Sequence, residues 1–544
     1  MMETHVMWNF WTRTIAGGAL AAMLVLGAAY APSIVKAQAQ TVVLHRGNGA
    51  EPDSLDPHKS SGTWENHIIG DMLIGIFTED IDGKPIHGAA ESHSVSEDGL
   101  TWTFKIRPHN WSDGVPVTAD DFVFSWRRIL DPATASQYAT LLYPFKNAQA
   151  VNEGKLPPDH LGVRAIDAST LELQLENPAP YLPQLLAHQT AFPVPKHLVE
   201  HYGADWFKPG IYVSNGPYVL AAWEPNNFIK LIKNPGFWDA ANVQIDEVIF
   251  YPTDNTSAAL KRLRAGELDM QNGVSSQDID WLKANMPEAL KLQPYLAVSY
   301  IAINSTRAPL NDKRVREALS LAFDRDTVAD KVLKFNEAAA YTFVPPGTAG
   351  IAPGAALSFA SMPYAERLAK AQALMQEAGF GPGKPLKIAL EIGPAPDNKR
   401  VGAVVQQQWA AIYVDLELRA SESKVLYALL KENNFDVSQA AWVADYNDAK
   451  NFLYLFRTES KDMNYGRWSN AEFDRLMAEA DKARDEAARG ALLRQAEQVL
   501  LDDYAVITNR YLNTRHIVQP YVKGFHPNLR DVNRTRWLSI ERAS

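Results

Sequence analysis

Few residues in this chain of 544 are spaced in a way that could do chemistry, and they are scattered. His197-Leu-Val-Glu200-His201 spells H-x-x-E-H, which on a helix aims two imidazoles at one zinc ion. That chemistry needs a sustained helix and a third ligand. Pro193, Pro195 and Gly203 leave room for only about two turns, and no third ligand stands out. The two histidines are therefore expected on a short exposed helix, with an exported metallohydrolase as the enzymatic alternative. Gly379-Phe-Gly-Pro-Gly-Lys384 has the glycines of a phosphate loop, but Pro385 follows where Ser or Thr is needed. It also lies between a helix and a strand, the reverse of a phosphate loop, and reads as a turn. There is no G-x-S-x-G elbow. With no cysteine in the chain, thiol catalysis, disulfides and thiolate metal sites are excluded. The acidic pairs Asp120-Asp121 and Asp502-Asp503 read as helix ends or solvated faces. The expectation is a protein that is not an enzyme and carries no cofactor.

Binding is the remaining kind of function, and composition limits what is bound. A net charge of −10 argues against nucleic acid, which needs a basic footprint. The 14 Trp and 20 Tyr suit either a ligand cleft or a large core. A single core stops growing at about 250–300 residues, so two or three lobes are expected. Arg13, an apolar run at 15–31 and Ala37-Gln38-Ala39 have the order of a secretory signal cleaved after residue 39. An uncleaved anchor is the competing reading, but the run is 17 residues and rich in Ala and Gly, where a span needs about 20 strongly apolar ones.

The elements that would position a site read as mixed α/β. Residues 41–46 and 101–107 are strand candidates, the second by its alternation. Thr118, with Asp121 three residues on, opens a helix as a capping box. Residues 162–176 and 218–232 read as hairpins. Apolar spacing at Val315, Leu319, Ala322 and Phe323 predicts one helix over 314–335. Residues 364–378 should be helical and end at Gly379, and 470–503 should hold two helices with Gly490 between or inside them.

Several segments resemble one family. Glu51-Pro-Asp-Ser-Leu-Asp-Pro-His-Lys59 is followed by Trp111-Ser-Asp-Gly-Val-Pro-Val-Thr-Ala-Asp-Asp-Phe-Val-Phe-Ser-Trp126 and by Asp131-Pro-Ala-Thr-Ala-Ser-Gln-Tyr138. Ser214-Asn-Gly-Pro-Tyr218, Arg264-Ala-Gly-Glu-Leu-Asp269, Asp312-Lys-Arg-Val-Arg-Glu-Ala-Leu319 and Ala441-Trp-Val-Ala-Asp-Tyr446 continue the series in order. Together they resemble the oligopeptide-binding proteins of ABC peptide importers, family 5 of the solute-binding proteins, along the whole mature chain.

That resemblance implies an α/β, periplasmic-binding-protein-like fold of type II, with two hinged ligand lobes plus an extra small lobe. Residues 40–73, 198–298 and 514–544 would form lobe I, 74–197 the small lobe and 299–513 lobe II. The implied protein is a periplasmic monomer, not lipid-anchored, that closes on a short peptide and delivers it to a membrane ABC permease. Asp445 matches the position that receives the peptide ammonium; without the resemblance it would read as a loop acid capping its own turn. Ala440, Ala441 and Val443 match the strand that pairs with peptide backbone, and Gly62, Thr63 and Trp64 the facing segment. Trp442 reads as a pocket wall or a plain core residue, and Tyr138 as a donor to ligand backbone. The family often meets the peptide carboxylate with Arg or His, where this chain has Gln439 and Asn398. That departure leaves peptide length open, and admits a same-fold receptor for a murein peptide, nickel chelate, haem or opine-like conjugate.

Overall fold

The computed structural model describes residues 41–542 except 254 and 462. The expected signal segment lies outside the described residues, and among those described no helix is long and apolar enough to cross a membrane.

One ten-stranded mixed sheet organises residues 42–542. Its order is Val414–Ala420, Leu386–Ile392, Val437–Val443, Leu290–Ile303, Val506–Val518, Met270–Asn272, Val43–Gly47, Glu247–Tyr251, Phe228–Lys233 and Tyr218–Glu224. Leu290–Ile303 and Val506–Val518 are the longest strands and run antiparallel through the middle. Their register slips between Pro294 and Val298 and again between Ser299 and Tyr300. Proline removes a ladder donor and bulges bend strands, so the ladder is interrupted where the two halves of the sheet join. Opposite the slip, the buried Glu337 carboxylate lies 2.6 Å from both Arg510 and Arg515 and accepts from Asn513 N–H at 3.2 Å.

Side-chain alternation gives the sheet two apolar faces. Around the central strands, Ile301, Ile303 and Val437 point into one core and Val298, Tyr300, Ala302 and Trp442 into the other. A third core joins strands 218–251 to a separate four-stranded antiparallel sheet, Ala90–Val95, Thr101–Ile106, Thr170–Gln174 and Val163–Asp167. The helix Ala119–Leu130 buries Phe122, Trp126, Ile129 and Leu130 in that core, and Trp126 Nε1–H donates to Ala191 O at 2.9 Å. Its start follows the expected box: the Asp121 carboxylate accepts from Thr118 N–H at 2.9 Å.

Both hairpins form as read. Gly379, at φ +89°, ends the helix Tyr364–Glu377. Gly490 lies inside the helix Glu486–Asp502, where a Cβ would sit 3.1 Å from Ala352 N. The expected single helix over 314–335 is corrected. Lys313–Ala322 stops at an extended Phe323, and a separate π-helical turn covers Thr327–Leu333. The break buries Arg325, whose guanidinium donates to Ser320 O at 2.9 Å and Phe323 O at 3.1 Å. A continued helix would have used those carbonyls for its own ladder.

The two enzyme-like motifs fold as ordinary structure. His197 sits on the short helix Lys196–Tyr202 with its Nε2 2.8 Å from Asp113 Oδ2, and His201 packs edge-on against Tyr202. Among the described residues no three or more His, Asp or Glu side chains gather to hold a metal. Residues 381–384 close a tight turn, with Lys384 N–H donating to Gly381 O at 3.0 Å.

Candidate functional site

The site begins with an unfinished strand. Val437–Val443 pairs along its full length with Leu290–Ile303 on one side. On the other, Leu386–Ile392 reaches only Val437 and Ser438. From Gln439 onward that edge has no strand partner among the described residues. Ala444 N–H donates to Leu296 O at 2.8 Å. Antiparallel pairs alternate, so Trp442 and Ala440 also bond inward, while Gln439, Ala441 and Val443 turn their N–H and C=O groups to the open edge. Ala441 is exposed although it lies in the middle of a buried strand. Ala440, one of the expected pairing residues, has its backbone on the inner side.

Asp445 stands at the end of this edge, and Asn451 fixes it there. The Asn451 Oδ1 accepts from Asp445 N–H and from Trp442 Nε1–H, both at 3.0 Å, and its Nδ2 donates to Asp445 Oδ2 at 3.1 Å. Trp442 is a buried core residue tethered to this asparagine, with its ring edge-on to Tyr454. The other Asp445 oxygen, Oδ1, accepts no hydrogen bond among the described residues and lies 3.9 Å from His188 Nε2. Burial and the charges of Arg530 and Arg534 lower the His188 pKa to about 3, so the imidazole is neutral. Burial raises the Asp445 pKa to about 6, against the Asn451 hydrogen bond and the Arg530 charge. A carboxylate so placed favours any cation that reaches Oδ1.

Residues from distant segments surround that oxygen. Tyr138 stacks on His188 with ring centroids 6.0 Å apart. Burial and the Asp445 charge push its phenol well above 10, so it remains a donor, and Tyr427, Tyr465 and Glu65 act on it as well. Tyr427 is 44% exposed despite those neighbours. Glu65 shapes the facing loop: its carboxylate accepts from Gly62 N–H at 2.7 Å, and from Ser61 and Asp53 N–H at 2.9 Å each. Thr63 starts the helix Thr63–Met72 behind Gly62. A Cβ on Gly62 would come within 2.4 Å of the Trp64 ring, so only glycine lets that indole fold back. Trp64 Nε1 is buried without a partner.

The two departures meet each other: Gln439 Nε2 donates to Asn398 O at 3.1 Å. Arg400 does not supply a free cation, being engaged by Asp397 and Ser276. Ser276 also donates to Asp397 at 2.8 Å, tying the 198–298 segment to 299–513 across the gap. At the far side Tyr181 stacks on Tyr446 at 4.8 Å, and Asn447 N–H donates to Gln184 Oε1 at 2.6 Å. These contacts join segments far apart in sequence.

His188, Asn451, Tyr427 and Arg530 were not singled out by the sequence reading. Only Asn451 carried a local signal, an amide six residues beyond Asp445. The others arrive from segments whose spacing to Asp445 has no pattern.

An open strand edge ending in a buried acid with one oxygen left without a hydrogen bond among the described residues, set between segments joined by two bent strands, fits a receptor for an extended solute. The family model for bacterial extracellular solute-binding proteins, family 5, matches residues 84–464, and the chain belongs to that family. It is 38% identical over 520 residues to the periplasmic oligopeptide-binding protein OppA of Escherichia coli, covering 94% of this chain and 95% of that protein. The periplasmic murein peptide-binding protein MppA of Escherichia coli is 36% identical over 506 residues, covering 92% and 93%. Among solved structures, MppA superposes with a TM-score of 0.87 at 35% identity, over 93% of this chain and 99% of that one. Haemophilus influenzae OppA in complex with RPPGFSPFR gives 0.85 at 34%, over 92% and 99%. The type II fold expected from the sequence is thereby established.

Proposed function

We propose that the protein is a periplasmic receptor that binds short peptides in the closing gap and delivers them to an ABC importer, without catalysing a reaction on them. The observation that carries this reading is the open edge of residues 439–443 running into Asp445. A peptide added as a strand there would satisfy the outward N–H and C=O groups of Gln439, Ala441 and Val443, whatever its side chains. Its ammonium would meet Asp445 Oδ1 through charge-assisted hydrogen bonds. Tyr138 would donate to its backbone, and the loop of Gly62, Thr63 and Trp64 would face it from the other lobe. The lobes would be 40–73 with 198–298 and 514–544, then 74–197, then 299–513, with the slip at residues 294–300 as hinge. The names of the relatives quoted above support the periplasmic location and the peptide ligand; the monomeric state and the permease partner are proposed with them.

Gln439 and Asn398 favour one variant of this reading. Neither brings a cation to the far end of the edge, so a peptide whose terminal carboxylate is blocked or stays in water suits the site, and a cell-wall peptide is left open. Native mass spectrometry of the protein as purified tests both forms. Co-purifying peptides are the expected result; a stoichiometric non-peptide ligand would overturn the reading.

A further inference from the structure

The charge of Arg530 acts on both His188 and Asp445, and Glu79 and then Asp445 are the acids that act on it. Its guanidinium makes no hydrogen bond or ion pair among the described residues, and its Nε is buried without a partner. Its position is set by the backbone. Leu296 N–H donates to Leu529 O at 2.9 Å, and Leu296 O accepts from Ala444 N–H at 2.8 Å. Leu296 thus joins the run that carries Arg530 to the run that carries Asp445, at a separation of about 10 Å from two strand spacings. Arg530 and Asp445 act on one another across that interval.

Among the described residues neither nearby acid is bonded to Arg530, although Glu79 acts on its charge. Glu79 is shared, lying 3.6 Å from Arg534 and acting on Arg536. Asp531 is held by His516 at 2.7 Å and Asn533 at 3.1 Å. Once a ligand ammonium takes Asp445, Arg530 is left with only Glu79, which it shares with Arg534 and Arg536, and a partly neutralised guanidinium is costly away from water. We propose that Arg530 receives a ligand carboxylate lying one or two residues from the ammonium at Asp445. Its source is the side chain of an acidic first or second residue, or the terminal carboxylate of a dipeptide. Guanidinium geometry suits a bidentate carboxylate, and the inference rests on the peptide reading above.

Calorimetry on the intact protein tests it with Ala-Glu-Ala against Ala-Gln-Ala, and Ala-Ala against its C-terminal amide. The unmodified protein should prefer the acid in one pair by about tenfold, the scale of one charge-assisted pair. The first pair identifies the side chain and the second the terminus as source. Arg530→Gln should bring that ratio to about one, while Ala-Ala-Ala changes by less than about threefold. Arg530→Lys should keep part of the preference, and thermal unfolding checks that both variants fold. A ratio that survives Arg530→Gln, or no acid preference in either pair, overturns the role of Arg530 while leaving a peptide receptor. Failure of every peptide to bind the unmodified protein overturns the peptide reading and this inference with it.

Discussion

Replacing Asp445 with Asn should weaken peptide binding and stabilise the empty protein. The carboxyl titrates at about 6 in the folded, ligand-free state, so it is nearly all ionised at pH 7.5 and only about one-tenth ionised at pH 5. An ammonium binds the ionised form, so affinity should fall about tenfold between those pH values, with close to one proton released per peptide bound at pH 5. Asp445→Asn should abolish that slope and cost about 2–5 kcal/mol of binding at pH 7.5, as truncated buried charge pairs do. Stability moves the other way. The unfolded carboxyl loses its proton near 3.8 and the folded one near 6. The contribution of this group to the empty protein is therefore fully present below the lower value and is lost, by roughly 3 kcal/mol, as pH rises through the upper one. Asparagine carries no such loss, so at pH 7.5 the empty variant should need more urea to unfold, a gain of function-limited stability common at binding sites. Calorimetry from pH 5 to 7.5 and urea titration of both proteins measure the two effects. Affinity that is flat with pH in the unmodified protein, or equal in the variant, would refute the assignment of the ammonium to Asp445.

Two further perturbations follow from the hinge and the closure contacts. Glu337→Gln leaves Arg510 and Arg515 facing each other without their buried anion and should cost about 3–5 kcal/mol in urea unfolding. Burial raises the Glu337 pKa, but the two arginines outweigh it and hold it below 4.5; its contribution is thus present above 4.5 and lost as pH falls through the folded value, and an unchanged acid-unfolding profile in the variant would contradict this. Gln184→Ala removes the acceptor for Asn447 N–H across the gap, worth about 1 kcal/mol or fivefold in peptide affinity, and Tyr181→Ala removes the stack on Tyr446 for a further 0.5–1.5 kcal/mol or so. Small-angle scattering at saturating peptide should show a larger radius for the double variant, and equal radii would mean that these contacts do not govern closure.

What could be read along the chain was whatever neighbours within a few residues decide. The start of Ala119–Leu130 depends on Thr118 and Asp121, the end of Tyr364–Glu377 on Gly379, and the hairpins on their turns and alternation; all appear where the sequence places them. The helix over 314–335 was misread because Arg325 is drawn into the core by Ser320 and Thr508, and Thr508 is far along the chain. The family resemblance allowed Asp445 to be singled out, where residue types alone read it as a loop acid, but it did not reveal the acid's surroundings. That its edge is open depends on where Leu386–Ile392 stops, and its raised pKa on how deeply three segments bury it. His188 and Arg530 reach it only because the long central strands bring their segments together. Local hydrogen-bond chemistry is written in spacing, whereas the convergence of distant charges on one gap is a property of the folded sheet and has no period for a sequence to display.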